Sequence, residues 1–516
     1  MIEKGFRKST RLRKDTNKTI RARFVELLRP LSPFYYAVVG VFLCSAIVEL
    51  IVYIDMPIVR NSLLYGQIQY ALLDFGADFS VNEHAFNKAL GFPVLSLLPT
   101  AIFGANTGLK IASFCWTALW VISCLFFYYR LCRVFSWGDP HRPQVGLYFT
   151  IFLFNPLVFY QFLSAYPDSL NALTFLWALY FLDKMFSDEG RWFDSIIFAL
   201  VTLLAIWIKH HGFVILAFLI IFGVCRIGTV RSQWRSSRKR LIFTIIALAA
   251  MFAVIYLALS GHIPMFNLSK NKSNYSGGFE HLPAVFLQNI FNFNYYLLLS
   301  FSILAVFLLR WKSFLKFKEW YIALVVFIIT IIVYKGAMYN IRYFLPAAPL
   351  FAWIICSNLQ GINYKIRRLL VGVFLIINLF LTAFYNNIGF NEWFSQFDLL
   401  DRHDNLRLVD EQLRVKKAID SINQHTSDAC SVLFFVGSYY GTGEWYVWER
   451  DGLFSNQLDI LYGSKLNWKS ISRFARKYKL KEALLYTGMR VSTEKKHAGI
   501  RAITELSPRA YHIEFK

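Results

Sequence analysis

Residues 155–182 read NPLVFYQFLSAYPDSLNALTFLWALYFL, an almost unbroken apolar run with one charge, Asp168, at its centre. A carboxylate in the middle of hydrocarbon is costly and needs a reason. Pro167 supplies one, because it biases Tyr166 away from helix. The run then divides into two apolar segments, 146–164 and 169–182, joined by a tight turn that carries Asp168 to a membrane surface. Read this way, the chain is an α-helical polytopic membrane protein.

Working outward, the same pattern recurs. Apolar segments occupy 35–54, 108–131, 196–208, 213–225, 241–259, 295–309, 320–334 and 369–384, with another returning ahead of YKIRR at 364–368. About twenty apolar residues suffice to cross a bilayer, so the chain is expected to cross about eleven times. The composition agrees: of 516 residues, 56% are hydrophobic, 18% aromatic and only 17% charged.

The formal net charge of +23 would suggest nucleic acid for a soluble protein. Here the basic clusters at 4–24, 226–240, 310–318 and 365–368 flank apolar runs, which makes them cytoplasmic topology signals and removes nucleic acid as a partner. One inner loop, LDKMFSDEGRWFD at 182–194, dissents by being net acidic. The basic start is not a cleavable signal. Seven cysteines show neither a CxxC pair nor a Cys/His metal spacing, so no disulfide framework or zinc site is expected.

The expected organisation is a basic cytoplasmic tail over 1–34, a transmembrane domain over 35–386 with a long first outer loop at 55–107, and an extracytoplasmic α/β domain over 387–516. Within the loop, GFPVLSLLPTAIFG at 91–104 is short and proline-broken, and reads as interfacial or re-entrant. Beyond 387 the helical periodicity of DEQLRVKKAIDSINQH and SISRFARKYKL alternates with strand-like CSVLFFVG, EALLYTG and RAYHIEF. The glycines of GSYYGTGEW lack phosphate-loop spacing.

Polar residues gather at the outer ends of the segments: Asp55, Arg60 and His84, then Asp168, Lys209 and His210, then Arg342 and Tyr343. Lys88, His211 and Lys335 read as solvated charges or interfacial anchors. Acids and cations from several junctions at one membrane face suit transfer of a sugar from a lipid phosphate. A carboxylate would take the acceptor proton, and Arg or Lys would offset the charge developing on the leaving phosphate.

On these motifs the chain resembles the GT-C glycosyltransferases. It is similar to protein O-mannosyltransferases, to lipid A aminoarabinose transferases and to bacterial relatives of the second GPI mannosyltransferase. The resemblance rests on YIDMP after the first segment, the proline-containing GFPVLSLL, Asp168 at the turn between the third and fourth segments, IWIKHHGFVILAF, NIRYFLPAAPLF and an α/β domain after the last segment. It implies Asp55 as general base, with Asp74, Asp78 and Glu83 as alternatives in the same loop. It implies Asp168 as a second acid that orients sugar or acceptor. Lys209 and Arg342 would hold the lipid phosphate, with Arg60, His84, His210 and Tyr343 as further substrate contacts.

The implied partners are a polyprenyl-phosphate-linked sugar donor, a glycan, lipid or protein acceptor, and membrane lipids. No cofactor is required: two acids could hold a divalent metal, but the cations make one unnecessary. The implied location is a bacterial inner membrane, with the C-terminus outside the cytoplasm. Sequons at Asn267, Asn271 and Asn274 then read as ordinary polar residues. A polysaccharide polymerase or ligase using lipid-linked sugars, and a lipid-linked sugar transporter or flippase, stay open as alternatives. The transporter is the weaker fit, because no internal repeat is seen and Glu49 is the main mid-segment charge.

Overall fold

The computed structural model describes residues 33–59, 61–74, 89–134, 158, 161–162, 164–187, 190–226, 228, 238–263, 320, 322–327, 345–350, 352, 363–385, 404–426, 431–436, 441–456, 458–462, 466–487, 491–493, 497 and 499–516. The segment 295–309, most of that at 146–164, and about half of those at 320–334 and ahead of 364 lie outside this set.

Where apolar segments were expected, helices are found: α1 at Pro33–Tyr53, and further along α5 at Asp168–Met185, α6 at Trp192–Ile208, α7 at Val214–Cys225, α8 at Arg238–Leu259 and α9 at Tyr364–Tyr385. Between them and α1 come α2 at Asn61–Leu73, α3 at Gly91–Leu95 and α4 at Leu97–Val134. The helix α2 was not anticipated in the first loop. Nor was the length of α4, which begins inside the proline-broken stretch and bends at Gly104, whose φ of 77° is left-handed. Glycine takes that conformation without the clash a Cβ would bring.

Large aromatics fill the core of the bundle. Phe175 lies between Phe218 and Phe327, with ring centroids 5.5 and 5.4 Å away, and Trp320 meets Phe222 at 4.9 Å. The outward faces are also apolar. Ile242, Ile245, Ile246, Phe252 and Leu257 of α8 are exposed, as are Val41, Ile47, Val48 and Ile51 of α1. A helix apolar on all sides but covered on one is suited to a hydrocarbon surround. Among the described residues, two stretches are long and apolar enough to cross a membrane, Leu97–Cys124 and Lys239–Leu259.

The chain after 404 forms a mixed five-stranded sheet: β1 at Ser431–Val436, β2 at Leu458–Tyr462, β3 at Glu482–Thr487, β4 at Ile500–Ser507 and β5 at Ala510–Phe515. Their order is β2-β1-β3-β5-β4. Strand β1 runs parallel to β2 and β3, while β5 is antiparallel to both β3 and β4. The unalternating VLFF of β1 is explained by its place inside the sheet, covered on both faces. Helices α10 at Asp404–His425, α11 at Gly441–Arg450 and α12 at Trp468–Lys477 accompany it. The expected α/β alternation is present; α11, β2 and β4 were not foreseen.

One face of this sheet shares a hydrophobic core with the helical bundle. Phe434, Trp448, Phe454 and Tyr486 join a cluster that also contains Ile58, Tyr70, Ala105, Tyr166 and Ile208. The sheet domain therefore rests on the end of the bundle where α1 finishes and α5 begins.

Candidate functional site

At that end α1 stops at Tyr53, and the chain turns through 54–59. In this turn Tyr53, Met56, Pro57, Ile58 and Val59 are buried while Asp55 is exposed. The last carbonyls of a helix lack intrahelical partners. Here they receive Lys110 from α4, whose ammonium donates to the carbonyls of Tyr53 (3.0 Å), Ile54 (2.9 Å) and Met56. Lys110 is 1% exposed. Sequence reasoning passed over it, although a lone charge inside GLKIASFCWTALWV is the same signal that drew attention to Asp168.

Asp168 opens α5 directly after Pro167, following a left-handed Ala165. The expected break is there, and it places the carboxylate on the positive end of a helix dipole. Lys209 closes the adjacent α6 in extended conformation, a cation at a helix C-terminus. The two side chains form an ion pair, with Asp168 2% and Lys209 15% exposed. Burying one charge alone would be prohibitive, and the pair makes both tolerable.

Below the pair lies a polar cluster between α4 and α5. The Thr117 hydroxyl lies 2.9 Å from Ser169 Oγ and 3.1 Å from the Gln161 carbonyl, and Ser164 donates to Gln161 Oε1 at 3.2 Å. Lys110 and Thr117 are two turns apart on α4, roughly 10 Å along its axis. Asp168 is buried and Asp55 exposed at the same end of the bundle. Ser62, just after the Asp55 turn, donates to the Ser164 carbonyl.

The stretch read as interfacial or re-entrant is tucked between these elements. Gln69 of α2 donates to the carbonyls of Pro93 and Ser96, and Trp116 of α4 donates to Ser96 Oγ at 3.1 Å. A Cβ on Gly91 would lie 2.9 Å from the backbone of Ile208, so only glycine permits this approach beside Lys209.

The sheet domain supplies the cover. Asp451, immediately after α11, accepts from the backbone N–H groups of Ala105 (3.0 Å) and Asn106 (2.7 Å) and from the Tyr70 hydroxyl. It acts as an N-cap for the part of α4 that restarts after Gly104. Burial pushes the Asp451 carboxyl above its usual range, against the hydrogen bonds from Tyr70 and the two amides. Burial also pushes the Tyr70 hydroxyl up, so it remains a donor. Trp448 Nε1 donates to the Ile58 carbonyl at 3.1 Å. Arg450 pairs with Asp74 at the end of α2 and lies over the Tyr70 ring.

Of the residues expected at the site, the structure brings Asp55, Asp168 and Lys209 to one end of the bundle. Arg60, His84, Arg342 and Tyr343 lie outside the described residues, as do Lys88, Lys335, Asp78 and Glu83. His210 begins the short 3-10 turn His210–Phe213 beside Lys209, and its side chain is outside that set. Asp74, an alternative base, is engaged by Arg450. Lys110, Tyr70 and Asp451 were missed. Among the described residues, no group of three or more His, Cys, Asp or Glu could hold a metal ion.

No family model matches this chain, and no curated protein matches it. Among solved structures it is similar to ArnT from Cupriavidus metallidurans, determined bound to undecaprenyl phosphate. That similarity has a TM-score of 0.49 at 12% identity and covers 93% of this chain and 98% of the other.

Proposed function

We propose that the chain is an integral-membrane glycosyltransferase that moves a sugar from a polyprenyl-phosphate donor to an acceptor hydroxyl or phosphate on the outer face of a membrane. The observation that supports this reading is that one end of the bundle, under the sheet domain, holds an exposed carboxylate, Asp55, together with a buried Asp168–Lys209 pair. A lipid-linked sugar suits this combination, because its leaving phosphate needs a cation held out of bulk water while its acceptor arrives from water and must lose a proton.

For a hydroxyl acceptor, Asp55 takes the proton as the oxygen bonds to the anomeric carbon. The bond from that carbon to the phosphate oxygen breaks, and the electron pair leaves with the lipid phosphate. Lys209 is the cation placed to meet the developing charge, and Asp168 holds its ammonium in position before the donor arrives. This refines the role first expected for Asp168, which becomes a carboxylate that acts through Lys209. Arg342, Arg60, His84, His210 and Tyr343 remain candidate contacts to donor and acceptor. A metal-free reaction is proposed, and a divalent ion is an addition that a chelator would test. In this arrangement the α/β domain over 387–516 lies outside and the basic loops inside.

The test is direct. Purified protein in lipid nanodiscs is incubated with labelled polyprenyl-phosphate sugars and extracts containing lipid, glycan or protein acceptors, and label transfer is followed. Transfer by the native chain and its loss in Asp55→Asn support the proposal. Full transfer by Asp55→Asn, or none by the native chain with any sugar, overturns it.

A further inference from the structure

The turn that presents Asp55 is held by a residue outside the charges assigned above. An ammonium has three hydrogens, and Lys110 directs its bonds to three backbone carbonyls, those of Tyr53, Ile54 and Met56. These carbonyls belong to Asp55's two neighbours and to the residue before them. The backbone on both sides of the carboxylate is therefore fixed to α4, and Asp55 is left as the exposed side chain of a buried turn. Its hydrogens go to carbonyls, so its influence on Asp55 is exerted through the backbone.

We propose that Lys110 is the positioning residue for the candidate base: it fixes the turn that aims Asp55. This rests on the function proposed above, yet it makes a claim about the protein that can be read without any reaction. The competing possibility is that Lys110 merely staples α1 to α4 and leaves the chemistry of position 55 untouched.

The experiment uses the full chain in nanodiscs carrying Asp55→Cys, alone and combined with Lys110→Met or Lys110→Arg. Alkylation of the introduced thiol by a water-soluble reagent is followed by site-resolved mass spectrometry. With the turn released, Lys110→Met is expected to change the alkylation rate about tenfold or more, and Lys110→Arg to restore it. In the native Asp55 background, Lys110→Met should lower kcat about tenfold or more with donor KM unchanged, and Lys110→Arg should rescue it, whereas loss of a mere staple would lower the thermal melt and leave kcat of the folded protein at the native value.

An alkylation rate at position 55 that stays in place in inserted Lys110→Met overturns the inference even if transfer is observed. A changed rate with no transfer by the native chain keeps the inference and removes the glycosyltransferase. Where Lys110→Met yields no inserted protein, Lys110→Gln, which keeps two of the three donor hydrogens, decides: a changed alkylation rate supports the inference, and the native rate overturns it.

Discussion

Where α5 finishes and α6 begins, every described acid is matched. Asp183 meets Arg226 at 3.0 Å, Asp194 accepts from the Arg191 backbone at 2.6 Å and lies 3.9 Å from Lys184, and Arg240 donates to the carbonyls of Lys184, Met185 and Ser187. At the opposite end, where α1 finishes and α5 begins, the helix termini are closed as carefully, by Lys110 and Asp451, but Asp55 is left exposed. The first end uses charge to finish helices. The second finishes its helices with residues of its own and has a carboxylate to spare, which is the property a reactive site needs.

The largest effect should come from that spare carboxylate. Asp55→Asn is expected to lower sugar transfer about 10²- to 10⁴-fold, the contribution of a positioned base. An exposed side chain contributes little to folding, so the thermal melt of the purified protein should stay within a degree or two of the native value. A melt that fell together with the activity would make Asp55 structural, and the two ends would then be alike.

The next contrast sets two buried ion pairs against each other. Asp168→Asn and Asp183→Asn each leave a cation without its carboxylate, and each should cost on the order of 3–5 kcal/mol of stability, seen as comparable downward shifts in a thermal-shift assay. Transfer separates them. In protein that remains folded, Asp183→Asn should keep its specific activity, whereas Asp168→Asn should lose at least about tenfold because Lys209 is no longer held against the site. Equal activities would show that the Asp168–Lys209 pair only closes helices, as its counterpart does.

This contrast also explains what the sequence could and could not disclose. The net-acidic loop at 182–194 looked like a violation of the topology rule. The structure shows Asp183 and Asp194 buried against Arg226, Lys184 and the start of α6, so these acids complete helix ends. Asp168 was legible because Pro167 marks the break beside it and a charge in an apolar run stands out. Lys209 was named, but its pairing with Asp168 was not, since two helices and the loop between them separate the partners in sequence. Lys110 carried the same signal as Asp168 without a proline beside it, and was read as part of a segment. Asp451 and Tyr70 were beyond reach: one caps a helix restart created by Gly104, the other supports that cap, and neither fact exists until the distant sheet domain docks. Strands β1, β3 and β5 were visible from their apolar pattern. Helix α11 sits in a polar, glycine-containing stretch whose burial is supplied by the bundle.

Removing that cap comes next in size. Asp451→Ala frees the amides of Ala105 and Asn106 at the point where α4 restarts, and an N-cap loss costs about 0.5–2 kcal/mol. Hydrogen exchange should quicken at residues 105–108 and in α11 together, since one carboxylate serves both. Exchange confined to α11 would mean that the kink at Gly104 holds itself.

The smallest effect belongs to Arg450 and Asp74, a pair about one-third exposed on each side. Such pairs contribute roughly 0.2–1 kcal/mol. The hydrogen bond from Arg450 holds the Asp74 carboxyl below its usual range. A lowered folded value means that the stabilisation is present above the ordinary carboxylate value, about 3.9, and is lost as pH falls through the lowered one. Asp451 runs the other way: its raised value favours the protonated form in the folded chain, so its contribution declines as pH rises from the ordinary value through the raised one. Subtracting the melt of Asp74→Ala from that of the native protein should therefore give a small positive difference at neutral pH that vanishes toward pH 3. The same subtraction for Asp451→Asn should change in the opposite direction over the range just above pH 4. If both differences moved together, the two carboxylates that join the sheet domain to the bundle would be titrating as one group, and the domain would be docked by net charge instead of by the separate bonds at Arg450 and Ala105.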